Sequence, residues 1–373
     1  MAMTGIDVLA AENRASRFGF RLRESFRLHG LFFALPLFYL LAFKVAGIFN
    51  SNLIDGDPFW MFISILFFST LVALLAMVIM QFYFVAAVDK SEKPISGLYR
   101  RMVSVLRHHD TMVRGIPMFL ALLIFMYAFT FFKANVTNFI PFAWDVTFDR
   151  WDQVLHFGTR PWEWLQPVFG NVVGTLILNV NYNLWFMVMQ LFWIYFGFIQ
   201  KPGLDRTRFY VSFFFTWSIG GSLMAILFSS AGPCYYHLVV GGIGPYQPLM
   251  QQLRDFNAIV PIWAVDTQAM LWGLHSNGSI MGGVTAMPSM HNATALLFVL
   301  TTWNMSKRLR NLLIVHMILI FLGSVHLGWH YAVDAYFAWA ITLVLWVAAH
   351  HIAKRWEAQP KIQSFNAQCS SNI

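Results

Sequence analysis

Charge is scarce in this chain. Asp, Glu, Lys and Arg make up 11% of its 373 residues, against 58% hydrophobic ones, whereas soluble domains carry about 25% charged residues. That shortfall excludes an ordinary water-soluble globule. Cysteine is scarcer still. Cys234 and Cys369 stand far apart with no CxxC or metal-ligand spacing, so neither a disulfide framework nor a metal site is expected. A cleavable signal sequence is not expected either, because the stretch before the first apolar run is polar and basic. No internal repeat is visible.

What the chain has instead is aromatic and apolar length. It carries 38 Phe and 15 Trp, and its mean hydropathy is +0.58. A bilayer-spanning helix needs about 20 apolar residues. Runs of that kind fall near 30–49, 58–88, 116–137, 172–200, 209–229, 291–305, 311–329 and 331–350, the sixth being short. The fold expected is an all-α polytopic membrane protein. The basic residues then sort by side. Twenty of the 25 Lys and Arg lie on the side of the N-terminus, in 14–27, 90–114, 201–208, 307–310 and 354–361. The opposite side keeps Arg150, Arg160 and Arg254, while Lys44 and Lys133 lie within or at the ends of spans. By the positive-inside rule both termini are expected in the cytoplasm. The net charge of +8 then reports topology and not nucleic-acid binding.

The organisation expected is a cytoplasmic segment over 1–29, two additional spans with a basic loop over 30–115, a six-helix catalytic membrane domain over 116–352, and a cytoplasmic tail over 353–373, disordered from Gln359. Two long segments face the non-cytoplasmic side. Residues 138–171, rich in Trp, read as interfacial. Residues 230–288, rich in Gly and Pro, read as a lid, since loops of that length are usually functional.

Two polar motifs interrupt the apolar background on that same side. In Val325–Asp334, His330 and Asp334 are four residues apart, which stacks an imidazole and a carboxylate on one helix face. Ionisable groups there are costly and are functional by default. The carboxylate can accept a ring N–H, set the tautomer and leave His330 as a nucleophile. The other motif is Pro288-Ser289-Met290-His291. Pro and Ser signal a helix start, whose free N–H groups favour a phosphate, with His291 beside it as general acid and base. The two motifs flank an apolar hairpin that turns at Ser306–Arg310, so they return to one face. The plainer alternatives are a helix-capping histidine and a helix-stabilising polar contact. His326, one turn before His330, is read as structural or as a support behind the site residues, and His237 and His275 are unassigned. His108-His109 and His350-His351 lack carboxylate or cysteine partners, so metal binding there is not expected.

These motifs resemble those of the type 2 phosphatidic acid phosphatase superfamily. Pro288-Ser289-Met290-His291 is similar to its Pro-Ser-x-His motif, and Val325–Asp334 to its Ser-Arg-x5-His-x3-Asp motif, over roughly 116–350. The resemblance implies a six-helix bundle with a metal-free, cofactor-free site: His330 as nucleophile, Asp334 as its partner, His291 as acid and base. Gly323-Ser324 stands where the phosphatase branch has Ser-Arg, and Met290 where it has Gly. Lys201 to Arg208 mimics the Lys-x6-Arg-Pro motif, but Phe209 replaces the proline and the stretch lies on the cytoplasmic side. These departures resemble the inositol phosphorylceramide synthase branch, as do Ser230–Pro233 and Asp152–Gly158. The expected activity is therefore transfer of a phospho-headgroup, for instance phosphoinositol, from a glycerophospholipid to a lipid hydroxyl such as that of ceramide. A lipid phosphate or prenyl pyrophosphate phosphatase and a proton-coupled transporter are the alternatives. The expected substrate-binding residues are Ser289, Arg150, Arg160, Arg254 and Tyr235. The partners expected are lipids of the bilayer, not nucleic acid.

Overall fold

Long apolar runs become long helices, because a backbone in hydrocarbon must satisfy its own N–H and C=O groups. A computed structural model describes residue 19 and residues 21–45, 57–107, 109–279 and 282–370. No strand occurs among them. The helices are α1 (Gly30–Val45), α2 (Asp57–Tyr83), α3 (Pro94–Arg107), α4 (His109–Ala134), α5 (Asp145–Leu155), α6 (Pro161–Phe169), α7 (Val172–Ile194), α8 (Leu204–Phe215), α9 (Gln247–Asn257), α10 (Trp263–Ser276), α11 (Met290–Thr302), α12 (Lys307–His326), α13 (Ala332–Glu357) and α14 (Pro360–Ser370).

Among the described residues, six stretches are long and apolar enough to cross a membrane: Thr70–Ala87, Gly115–Ala134, Val172–Ile199, Leu204–Leu227, Lys307–His326 and Ala332–Glu357. The chain is an all-α polytopic membrane protein. Of the eight runs expected, two fall short of that length. α1 has 16 residues, and the remainder of its run lies outside the described residues. α11 has 13 residues, because the cavity-lining stretch before it is not helical. The tail differs from expectation as well. Residues 360–370 form α14, started by Pro360, and Ile362 is buried. Pro is tolerated in a first helical turn, and one apolar anchor ties the helix down.

α8 packs along α13, α11 along α12 and α13, and α12 along α7. Lipid removes the usual hydrophobic drive between helices, so close packing holds them. Rings dominate the seams: Phe192 meets Phe298 at 4.2 Å between centroids, and Phe196 meets Phe209 at 4.4 Å. α8 continues into a wide π-helical stretch, Thr216–Met224. There Gly221 lies so close to Phe129 and the Met290 sulfur that a Cβ would fall 2.8 and 3.1 Å from them, which lets the start of α11 settle against α4 and α8.

The two segments outside the spans are structured. Residues 138–171 hold α5 and α6, and 230–288 hold a 3-10 turn at Pro233–Tyr235 followed by α9 and α10. Gly232, at φ +101°, carries the second segment onto the Trp329 carbonyl, where a Cβ would sit 2.6 Å from the oxygen. Gly232→Ala therefore meets both a strained φ and a backbone clash, with an expected cost of about 1–3 kcal/mol. Gly241→Ala has a similar φ of +86° and open space around it, and should cost less. Thermal unfolding of the two variants in detergent checks the order.

Candidate active site

α5 organises this end of the bundle. Asp145, Asp149 and Asp152 recur at a spacing of four and then three, so one helix face carries three carboxylates, all buried. Each holds a different piece of chain. Asp145 accepts the N–H groups of Ala231 (3.0 Å) and Gly232 (2.9 Å) and the hydroxyl of Tyr331 (2.9 Å). Asp149 takes Arg160 through two hydrogen bonds of 2.7 and 3.0 Å and the Tyr246 hydroxyl at 2.7 Å. Asp152 accepts the first N–H groups of α13, from Ala332 at 2.8 Å and Val333 at 2.9 Å.

That last contact fixes the segment bearing His330. Asp334 sits one turn into α13, fully buried, and its Oδ2 accepts the Tyr331 N–H at 3.1 Å and faces His330 Nδ1 at 3.2 Å. An Nδ1–H donated to this carboxylate leaves the lone pair on Nε2. Burial, and then the charge of Lys133, push His330 down to about 3, with the Ala286 backbone opposing. The imidazole is therefore neutral at physiological pH, the form a nucleophile needs.

His291 lies in the first turn of α11. Ser289, the residue before the helix, donates its backbone N–H to the Asp334 carbonyl at 3.2 Å, which ties the two motifs together. The His291 ring is stacked on Tyr182 at 4.3 Å and tilted against Trp185 at 4.1 Å. Its Nε2 has no hydrogen-bond partner. The His291 and His330 rings are 6.4 Å apart between centroids. Two imidazoles at this separation border one space, so a group bound there can be reached by both.

Both histidines line a cavity of about 290 Å³, together with Lys133, Asn183, Tyr235 and the indoles of Trp185, Trp217 and Trp329. Mostly apolar walls with a few polar groups are the usual make-up of a small-molecule site. Of the expected substrate-binding residues, Tyr235 is the one lining this cavity, and its hydroxyl donates to the Gln268 carbonyl at 3.0 Å. Ser289 is buried and accepts from the Asn292 side chain at 3.0 Å. Arg160 is committed to Asp149. Arg254 is exposed and bonded to Gln251, and Arg150 is exposed. None of the three arginines lines the cavity. Ser324, at the position where the phosphatase branch carries arginine, is also buried. It accepts from Asn292 at 3.1 Å and donates to the Phe321 carbonyl at 2.8 Å, so this position faces packed protein. His326 is structural, its Nε2 meeting the Thr175 hydroxyl at 2.8 Å. No group of His, Cys, Asp and Glu suited to hold a metal occurs among the described residues.

Sequence reading passed over three contributors: Lys133, Asp145, and the Gln268 side chain that donates to the Leu327 carbonyl at 2.8 Å. The spacing of the α5 carboxylates was the available signal for Asp145. Nothing local marks the other two.

A family model described as the PAP2 superfamily matches residues 147–348, more than half of the chain. The protein belongs to the PAP2 superfamily. Neither a curated protein nor a solved structure matches it significantly. The PAP2 match begins inside α5 and ends inside α13, so it takes in both histidine motifs and the Asp149 and Asp152 anchors, while Asp145 and Lys133 lie upstream of it.

Asp152 also predicts a pH response of this PAP2 site. Burial raises its pKa from 3.8 to about 7, against the two N–H bonds and helped by Asp334. The folded protein thus holds this proton more tightly than the unfolded chain. The resulting stabilisation is full below about pH 3.8 and is lost as pH rises through about 7. Asp152→Asn removes the titration, so the gap in thermal midpoint between wild type and variant should shrink from about pH 5 to about pH 8. A gap that does not change with pH counts against this carboxyl as the titrating group.

Proposed function

We propose that this protein is a lipid phosphotransferase that moves a phospho-headgroup from a glycerophospholipid to a lipid hydroxyl. PAP2 membership supports a phosphatase- or phosphotransferase-type enzyme acting on lipids. The observation that carries the finer reading is the pairing of a His/His/Asp set with a mostly apolar cavity that no arginine lines. A phosphomonoester dianion calls for several cations, whereas a phosphodiester carries one negative charge and calls for fewer.

In this mechanism Nε2 of His330 attacks phosphorus, and the bond from phosphorus to the diacylglycerol oxygen breaks. His291 gives that oxygen its proton, leaving a phosphohistidine that carries the headgroup. His291, now neutral, takes the proton of the acceptor hydroxyl, whose oxygen attacks phosphorus and releases His330. Asp334 stabilises the charge on the imidazole throughout. Phosphoinositol as the headgroup and ceramide as the acceptor are the assignments that follow from the inositol phosphorylceramide synthase-like motifs. The catalytic domain of this reading spans 116–352, and its site faces away from the cytoplasm.

The test supplies purified protein with headgroup-labelled phospholipid, with and without acceptor lipid. Acceptor-dependent label transfer is expected. His330→Ala should abolish it, and His291→Ala should lower it by about 10²–10⁴-fold, the usual worth of a general acid. Release of inorganic phosphate from phosphatidate without headgroup transfer would assign the phosphatase activity instead. If His330→Ala kept lipid turnover but abolished ion or solute flux, the transporter alternative would replace both. Orientation has its own check. A Ser306→Cys variant should resist membrane-impermeant thiol labelling in intact cells and react once they are opened.

A further inference from the structure

Lys133 belongs to neither histidine motif, yet it lines the cavity with both catalytic histidines. It lies in the last turn of α4, and among the described residues no carboxylate pairs with it. Its charge acts on both His291 and His330. The other side of its stem is closed by Gly283. A Cβ there would fall 2.9 Å from Lys133 Cγ and 3.0 Å from its carbonyl carbon, so the glycine lets the backbone at 283 press against the lysine. A lysine at the end of a spanning helix ordinarily snorkels to water. This one is only partly buried, but what it lines is the cavity. Across that cavity, α11 begins with no side-chain cap on its N–H groups, and Pro288, Met290 and His291 of that helix start are in the wall. Uncapped N–H groups and an unpaired ammonium around one space form an anion site.

We propose that Lys133 is the phosphate-binding cation of this cavity, and that its single charge fits the site to phosphodiesters in preference to phosphomonoesters. The inference deepens the transfer reading and rests on it for the identity of the site. Among the described residues lining the cavity, Lys133 is the one lysine or arginine. The phosphodiester monoanion is neutralised by that charge, and the diacylglycerol oxygen lies with His291 in the same wall. A dianionic monoester would keep one charge uncompensated in the same space, which is costly away from water.

The experiment measures equilibrium binding without turnover. Detergent-purified His330→Ala protein is titrated with dihexyl phosphate, a soluble diester, and with hexyl phosphate, a monoester, by ³¹P NMR at a pH where the monoester is a dianion. Dihexyl phosphate should bind more tightly. Adding Lys133→Met should weaken its binding by about ten- to a hundredfold, the usual effect of losing a charge-assisted hydrogen bond. Lys133→Arg should retain most of the affinity. Gly283→Ala, which keeps the lysine but pushes its stem aside, should give an intermediate loss. Thermal unfolding separates misfolded variants from binding-deficient ones, and the arginine variant still decides if Lys133→Met fails to fold. Unchanged diester binding in folded Lys133→Met overturns the assignment. Tighter binding of the monoester overturns the diester preference. Lysine-dependent diester binding by a protein that shows no headgroup transfer upholds the anion site and removes the transfer reading; transfer with an unaltered KM in Lys133→Met does the reverse.

Discussion

The N-terminus of α13 begins away from water, and its first N–H groups need acceptors that the helix itself cannot supply. Two carboxylates provide them. Asp152 takes the N–H groups of Ala332 and Val333, and Asp334 takes that of Tyr331. A typical hydrogen bond contributes about 0.5–1.5 kcal/mol net, and a buried donor left unpaired would cost about 1–3 kcal/mol. The site depends on this solution. Asp334 is held by the helix start that it caps, so the carboxylate oriented toward His330 is also a structural cap. Asp152 lies on a separate helix, so the segment bearing His330 is fastened to α5 and is not left on a free loop.

The same carboxylate face extends the fastening. Asp145 reaches the 230–232 backbone and Tyr331, and the loops around the cavity then bond to one another: Cys234 N–H to the Gly328 carbonyl, Ala286 N–H to that of Ser230, Ser289 N–H to that of Asp334. Segments far apart in sequence converge on one small volume, and their backbone polar groups satisfy each other there. Pre-organisation of this kind holds the His291 and His330 rings in a set relation to each other. Aromatic walls add orientation. His291 is held by Tyr182 and Trp185 through ring contact, and its Nε2 has no hydrogen-bond partner.

Some of this was legible before any coordinates. His330 and Asp334 at a four-residue spacing, and Pro288-Ser289 before His291, carry local geometry in their sequence, and the short hairpin between them forces a shared face. The apolar runs predicted helices at the observed places because hydrocarbon leaves few other choices. The arginines misled for a physical reason. On a face with few cations each looked available for phosphate, but availability depends on neighbours. Arg160 had its carboxylate in Asp149, eleven residues earlier, and Arg254 and Arg150 project from exposed helix faces. Lys133 was overlooked for the converse reason: a lysine closing an apolar run reads as an ordinary helix end.

Sequence alone determined the class of chain, the helical runs, and a His/His/Asp set on one side of a membrane bundle, since hydropathy and residue spacing are local properties that survive into the fold. Tertiary structure decided which charges face the reacting space. The ends of α4 and α11, the middle of α7 and the segment before α13 meet at one cavity, and that meeting is set by helix packing and by the carboxylates of α5. Whether a cation is neutralised by a partner or left open to a ligand is a question of three-dimensional neighbours, which no local pattern of residues encodes.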